Sequence, residues 1–340
     1  SLCALWLIAK SEFISKSEIT FMKFETKKIY LKNINLRDKT FLLSYGYDIN
    51  PIKQSIEQVG LINPPVVRKR SDGTCQIICG HKRVHALREL TVSTVICFML
   101  SSKTSDEECF LLSLLDNVSH REFNPIEKSM AINKLQNYYT EEKIVQDFLS
   151  VLKLQPHITQ LKLYKPLCKL AREIRNALIE GKISEHAAVQ LSQMNRESRS
   201  ALGKLLIVLK LSVSKQAEIL EYVTEIAVRE NISVDKVVST KKIKSILENE
   251  KLNQPQKGEA IRKYLRGLRY PQLTAKEKEF NHNLKQLKLP PGTQLKATPF
   301  FEGNHYHLSL IFKNMNGLNK RLQELESLLN NRSLLNIIEG

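Results

Sequence analysis

Cys75-Gln76-Ile77-Ile78-Cys79-Gly80-His81-Lys82-Arg83-Val84-His85-Ala86-Leu87-Arg88-Glu89-Leu90 reads as a strand that passes through one glycine into a helix. The first five residues are β-prone and apolar, and His81 to Leu90 places Val84, Leu87 and Leu90 on one helical face. A glycine at such a junction lets backbone approach a phosphate closely, and the first-turn amides and positive helix end attract it. Lys82, Arg83 and two histidines add donors and charge. Basic residues in a first turn are also compatible with a merely solvated face.

Upstream, Ile52 to Val59 has helical spacing and stops at Gly60. Pro64-Pro65 then leads into Val66-Val67-Arg68, and Ser71-Asp72-Gly73 makes a turn, so the two strands predict a hairpin. Downstream, Val92 to Met99 is β-rich, and residues 107–116 and 125–138 are helical, with Asn124 capping and Pro125 in the first turn. Residues 29–100 therefore predict a small α/β unit.

From 140 to about 232 the pattern is helical: Glu141 to Leu149, Pro156 to Lys165, Ala171 to Glu180, Glu185 to Ser192, Arg196 to Leu209 and Lys215 to Glu230. Short connections such as Gly181-Lys182-Ile183-Ser184 suit a compact helical domain. Residues 240–290 are polar, basic and interrupted by Gln and Pro, and are expected to form a partly helical linker. Two strand-like runs, Gln294 to Thr298 and Tyr306 to Phe312, precede a helix from Leu318 to Leu329. A ββα unit of that size buries too little apolar surface to stand alone. Leu318, Leu322, Leu325, Leu328 and Leu329 share one side of its helix, which is either core against its own hairpin or the seam of a homodimer.

At 340 residues the chain is long enough for two or three domains, and 42% hydrophobic with 26% charged residues exclude wholesale disorder. Its net charge of +17 is spread along it: 0 over 1–21, +4 over 22–125, +5 over 126–250 and +8 over 251–340. That excess suits a polyanion, nucleic acid before an anionic membrane surface. The six cysteines show no CxxC and no paired metal spacing, which predicts reduced, mostly buried thiols as in a cytosolic protein. No apolar run is long enough to cross a membrane. Leu2 to Ile8 lacks the flanks of a signal peptide, so Met22 is a candidate start and 1–21 an extension carrying no chemistry.

A second chemical stretch is Asp116-Asn117-Val118-Ser119-His120-Arg121-Glu122-Phe123-Asn124-Pro125. Its Asp and Asn offer oxygen ligands to magnesium, and it reads equally as a helix end followed by a capped helix start.

Taken in order, Gly60-Leu61-Ile62-Asn63-Pro64-Pro65-Val66-Val67, then Gly80 to Ala86, then Asp116-Asn117 with Asn124-Pro125-Ile126-Glu127 resemble the three boxes of the ParB chromosome and plasmid partition family. Glu180 to Ser184 with His186-Ala187 is similar to that family's helical DNA-reading domain, and the ββα tail to its dimerisation domain. The resemblance implies a multi-domain α+β protein. Its layout would be an extension (1–24), a small α/β ParB/sulfiredoxin-like N-domain (25–125), an all-α helix-turn-helix domain (126–235), a basic linker (236–290) and a dimerisation unit (291–340).

The activity implied is that of a dimer that loads on a palindromic, centromere-like duplex, binds CTP and Mg²⁺, closes into a sliding clamp and works with a ParA-type ATPase at the nucleoid in the cytoplasm. Gly80, His81, Lys82, Arg83, His85, Ala86, Asn117 and His120 would then meet the nucleotide, Asp116 and Asn117 the metal, and Asn63 and Asp116 would serve any hydrolysis. The family's second box usually reads Gly-Glu-Arg-Arg-x-Arg-Ala, whereas here His81, Lys82 and His85 replace the Glu and two of the arginines, and two guanidinium forks are lost. The third box usually opens Glu-Asn-x-x-Arg, but Arg121 stands one position late, and Asn63 replaces the usual Gln. A weak CTPase is therefore expected.

For DNA, Glu141 to Leu149 would position and Pro156 to Lys165 would read, with His157, Thr159, Gln160 and Lys162 on its N-terminal turns. The alternatives are a DNA-binding regulator of the same fold with little nucleotide turnover, or an enzyme such as a kinase or nuclease on that N-domain. A stand-alone enzyme needs neither the helix-turn-helix nor the tail.

Overall fold

Four strands and the helices between them realise the alternation expected of the N-terminal part. The computed structural model describes residues 23–303, 305–329 and 331–339, so the proposed extension and Cys3 lie almost wholly or wholly outside it. The chain divides at Ala217/Glu218 into two compact units.

In the first unit the strands are β1 (Glu25–Tyr30), β2 (Val66–Lys69), β3 (Cys75–Cys79) and β4 (Thr94–Leu100), in the order β1-β4-β2-β3. β2 and β3 form the expected antiparallel hairpin, with an irregularity at Val66/Val67, while β2 runs parallel to β4 and β1 antiparallel to it. Helix α1 (Asn50–Val59) has Pro51 in its first turn and ends on Gly60 at φ 78°, a conformation glycine takes without penalty. α2 (His81–Glu89) begins at Gly80, and α3 (Asp106–His120) and α4 (Pro125–Leu135) each open on a capping box, from Ser105 with Glu108 and from Asn124 with Glu127.

β3 is buried along its whole length. It feeds Cys75 and Ile77 into a core with Ile29, Val67, Val84, Leu87 and Val95, and Ile78 into a second core with Phe41, Phe110, Leu114 and Ile132. That second core continues through Ile144, Phe148, Leu149 and Leu161, so the helices after 140 fold onto the sheet's layer rather than hang from it. Lys134 on α4 reaches back to the segment before α1: its Nζ donates to the carbonyls of Lys39 (2.9 Å), Thr40 (2.6 Å) and Leu42 (2.8 Å). Burial draws its ammonium down to about 8. Cys75, Cys79, Cys97 and Cys109 are buried free thiols and Cys168 is a half-buried one.

The helical part of this unit holds α5 (Glu141–Lys143), which continues as one π turn over Ile144–Phe148, then α6 (Ile158–Tyr164), α7 (Arg172–Ile179), α8 (Glu185–Gln193) and α9 (Arg196–Leu209). Mixed α/β structure followed by a mostly helical remainder is the fold class observed. Gly46 lies at φ +67°, and a Cβ there would collide with Cδ1 of Ile179 on α7. Gly46→Ala is expected to cost about 2 kcal/mol, from the left-handed backbone and the forced repacking. A urea midpoint equal to that of the unsubstituted chain would show that the turn relaxes freely.

α10 (Val213–Arg229) carries the chain across the boundary. In the second unit the stretch read as a partly helical linker is three well-formed helices: α12 (Lys241–Glu248), α13 (Gln254–Arg269) and α14 (Pro271–Leu287), preceded by the short α11 (Val234–Val238). Ile243, Ile246, Ile261 and Leu265 are buried, and the abundant charge is spent on ion pairs such as Arg262 with Glu218 (2.6 Å) and Arg266 bidentate on Glu277 (both 2.8 Å). β5 (Thr293–Ala297) and β6 (Tyr306–Leu310) pair antiparallel as expected, and α15 (Met315–Glu326) ends three residues short of Leu329. A last helix, α16 (Arg332–Glu339), supplies Ile337 to a small core with Leu287 and Leu295. Among the described residues no helix is long and apolar enough to cross a membrane.

Candidate functional site

Gly80 is the pivot of the site. Its αL backbone (φ 88°, ψ 26°) turns the chain from β3 into α2 and exposes the first-turn amides. A Cβ at Gly80 would stand 3.0 Å from Nε and Nη2 of Arg83 and would sit on a left-handed backbone, so any other residue would strain the turn and push on that guanidinium. Arg83 in turn donates from Nη1 to the carbonyls of Asn63 (2.6 Å) and Pro64 (3.3 Å). One arginine thus ties the α1–β2 loop to the start of α2.

Beside this junction opens a cavity of about 760 Å³, well within the size range of small-molecule sites. Its walls come from three separated stretches of sequence: Gly60 to Asn63, Gly80 to Arg83, and Asp116, Asn117, His120 and Arg121 at the end of α3. The fourth wall is a strap, Leu42 to Ser44, facing the apolar side chains of Pro51, Ile52 and Ile56 on α1. Of the proposed site residues, Asn63, Gly80, His81, Lys82, Arg83, Asp116, Asn117 and His120 line the cavity; His85 and Ala86 do not. Ala86 is fully buried in the fold, and His85 sits five residues past the glycine, about 7.5 Å along the axis.

The cavity gathers three basic side chains, Lys82, Arg83 and Arg121, beside one carboxylate, Asp116. Lys82 lies 4.8 Å from the centre of the Tyr47 ring, and burial with neighbouring Arg121 holds its ammonium below the ordinary lysine range. His81 is 7% exposed, and its Nε2 has no hydrogen-bond partner in the protein. Burial, with Lys134 and His85 close by, pushes its imidazole down to about 4, so it is neutral at pH 7. Arg121, which the box spacing placed one position late, does line the cavity. Its Nη1 donates to Oε2 of Glu127 (2.6 Å) and its Nη2 to Ser44 Oγ (3.1 Å) and Asn117 Oδ1 (3.2 Å).

Two oxygen donors, from the Asp116 carboxylate and the Asn117 carboxamide, stand at the cavity wall, and among the described residues no cluster of three or more His, Cys, Asp or Glu forms a closed metal cage. That donor set fits magnesium, which takes one or two protein oxygens and completes its octahedron with phosphate and water. It does not fit a structural zinc site.

The residues proposed to read DNA lie elsewhere in the first unit, on and just before α6. His157 is the N-cap of that helix and accepts from the Thr159 amide through Nδ1 (3.2 Å). His157, Thr159 and Lys162 are exposed and Gln160 is half-buried. The helix is shorter than expected because His157 is extended and the helix runs only from Ile158 to Tyr164, leaving seven residues. Its C-terminal end is fixed on α4, where Ser129 Oγ (3.1 Å) and Asn133 Nδ2 (2.7 Å) both donate to the Lys165 carbonyl.

The arrangement joins a partly parallel sheet, a glycine-started helix and three converging stretches of chain around one cavity. Residues 24–118, which hold most of that cavity, match the family model of the ParB N-terminal domain. The resemblance to the ParB family read from the three boxes is thus matched over residues 24–118. It is 30% identical over 173 residues to a nucleoid occlusion protein of Geobacillus sp., a match spanning 50% of this chain and 58% of that protein. It is 29% identical over 209 residues to the probable chromosome-partitioning protein ParB of Chlamydia trachomatis, spanning 59% and 70%. Among solved structures, the C-terminally truncated chromosome-partitioning protein ParB from Caulobacter crescentus complexed to the centromeric parS site aligns at 17% identity over 57% of this chain and 98% of that one, with a TM-score of 0.34. The same truncated protein complexed with CTP-gamma-S aligns at 18% identity over 54% and 99%, with a TM-score of 0.25.

Proposed function

We infer that this chain is a DNA-partition protein that binds CTP with Mg²⁺ in the cavity at Gly80 and engages a palindromic, centromere-like duplex as a homodimer, closing on DNA as a sliding clamp. The observation that carries the reading is the convergence of the three boxes on one basic, glycine-started cavity. Gly80, Lys82 and Arg83 would hold the phosphates, and Asp116 with Asn117 would hold the metal, which when bound would neutralise phosphate charge. Curated relatives named for chromosome partitioning and nucleoid occlusion agree with this role at the nucleoid, and a ParA-type ATPase is the partner it implies.

Calorimetry with CTP and, separately, ATP, GTP and UTP in magnesium tests it. CTP alone should bind, and Arg83→Ala, which removes the tie between two of the boxes, should weaken binding by about tenfold or more. No heat from any of the four at millimolar concentration would overturn the nucleotide reading.

Turnover of CTP would be slow. Lys82 offers charge without a planar fork, and neutral His81 offers none. That same observation favours a second reading, a ParB-related DNA-binding regulator in which the nucleotide binds and is hardly hydrolysed.

Dimerisation would use the second unit. Ile311 (68%), Leu322 (45%) and Leu329 (62%) are exposed, while Leu328 packs against the small core, so the leucine-rich side of the tail helix serves its own core only in part. Leu322→Glu is expected to turn a dimer into a monomer in analytical ultracentrifugation and to weaken binding to a palindrome far more than to a half-site. Equal losses on both duplexes would sink the dimer claim.

A further inference from the structure

A buried polar atom without a partner calls for an explanation, and the cavity wall holds one. His81 opens α2, is 7% exposed, and carries an Nε2 that meets no hydrogen-bond partner in the protein. The same residue lines the cavity beside Gly80 and Lys82. An orphan ring nitrogen in that position points to a ligand atom as its partner.

The class of ligand follows from the charges around the ring. Lys82, Arg83 and His85 share its helix, Lys134 acts on it from α4, and Asp38 from the segment before α1. Asp116 and His120 on the last turns of α3, with Arg121 just after it, complete the charged and titratable groups of the cavity wall. Of the carboxylates, Asp38 is already engaged by Arg70 (2.5 Å) and Gln76 (2.9 Å). Cations therefore dominate the surroundings, and a ring buried among them refuses a proton: burial first, then Lys134 and His85, draw it down to about 4.

A polyphosphate reverses that balance. It brings several negative charges to a site walled by protein, where their attraction for a nearby cation is stronger than in bulk water. An imidazolium presents two N–H donors to phosphate oxygens, whereas a neutral imidazole presents one donor and a lone pair that repels them. The ring gains most by taking up a proton as the anion enters. An uncharged ligand would bring no such gain.

We propose that His81 contacts the polyphosphate as an imidazolium: one proton passes from solvent to its ring as the ligand enters, and affinity for the ligand rises in mild acid. The sign follows from linkage. In the pH window between the free ring's range and the higher one that the anion imposes, the complex holds a proton that the free protein lacks, so affinity climbs as the pH falls. Near pH 7.5 the ring stays largely neutral. This rests on the reading of the cavity as a polyphosphate site, and neither on the choice of base nor on DNA.

The test uses the full chain, with inorganic tripolyphosphate and, separately, CTP·Mg²⁺ as probes in calorimetry at about pH 7.5 and about pH 5.5. His81→Gln and the shorter His81→Asn keep a polar side chain that does not titrate, so the probe's own protonation cancels in the comparison. On going to the lower pH, affinity of the unsubstituted chain should rise about three- to tenfold more than that of either variant. His85→Gln and His120→Gln, which remove the other two imidazoles near the cavity, should keep the gain. Magnetic resonance of the histidine ring carbons reads the proton directly: the His81 signal should sit at its neutral position at about pH 6 in the protein alone and move to the imidazolium position on saturation with tripolyphosphate. Equal pH ratios for the unsubstituted chain and His81→Gln, with the ring still neutral while tripolyphosphate is bound, overturn this inference alone. Absence of binding by tripolyphosphate and by CTP·Mg²⁺ at both pH values overturns the functional reading and this inference with it.

Discussion

Glu127→Ala is expected to cost the first unit about 4 kcal/mol, the largest loss of any single truncation around the site. The carboxylate is 2% exposed and satisfies three donors: the Arg121 guanidinium, the Tyr45 amide and the Asn124 amide. Alanine removes the acceptor and leaves all three without it, and the loss of one partner from a buried ion pair costs far more than the pair's net worth. The N-terminal turn of α4 also loses half of its capping box, since Glu127 supplies the reciprocal bond to the Asn124 amide. Glu127→Gln keeps an acceptor for one amide but turns an NH₂ toward a cation or another donor, so it should recover less than half of the loss. Urea unfolding followed by circular dichroism measures both. A deficit under about 1 kcal/mol for Glu127→Ala would mean that water replaces the carboxylate and that the strap is held by its α7 contacts.

Why was this residue not legible as a keystone? In the sequence Glu127 stands three residues after Asn124, the spacing of a capping box, and that local role alone would account for it. Its long-range bonds to Tyr45 and Arg121 depend on a chain path that no local pattern encodes. Arg121 shows the same limit. Its position one residue late in the box looks like a displacement, yet α3 ends at His120 and Arg121 is extended (φ −159°, ψ 160°), which carries its side chain back to the cavity that a regular helix would have turned it from.

Elements set by local chemistry, by contrast, read correctly. Gly60 stops α1, Gly80 starts α2, and Asn124-Pro125 opens α4. Strand β1 escaped because only Ile29 of Glu25–Tyr30 is buried, so its sequence carries little apolar signal and its identity comes from pairing with β4. The helices over 241–287 escaped for a related reason. Arg262, Arg266 and Arg269 sit beside carboxylates on other helices, Glu218 and Glu225 on α10 and Glu277 on α14, and in the sequence such residues look like solvated linker charge.

Acid should weaken the first unit through His81. Its imidazole is buried, has no partner at Nε2 and titrates at about 4 in the fold, against about 6.5 in an unfolded chain. Between those values the unfolded chain takes up a proton that the folded one refuses, so stability rises with pH across that window. This contribution is complete above pH 6.5 and is lost as the pH falls toward 4. It amounts to about 2 kcal/mol by pH 5 and about 3 kcal/mol near pH 4. The groups around the ring fix the sign: Lys134 and His85 oppose a proton there, and Asp38 favours one but is outweighed by burial and those two cations. His81→Gln removes the titration and keeps a side chain of similar reach, so its urea midpoint should fall much less between pH 7.5 and 5 than that of the unsubstituted chain. Parallel pH profiles for the two proteins would place the acid sensitivity elsewhere and show that the folded pocket accepts a charged imidazole. Such an imidazole would be one more cation for the phosphates, and the expectation of slow turnover would lose half its basis.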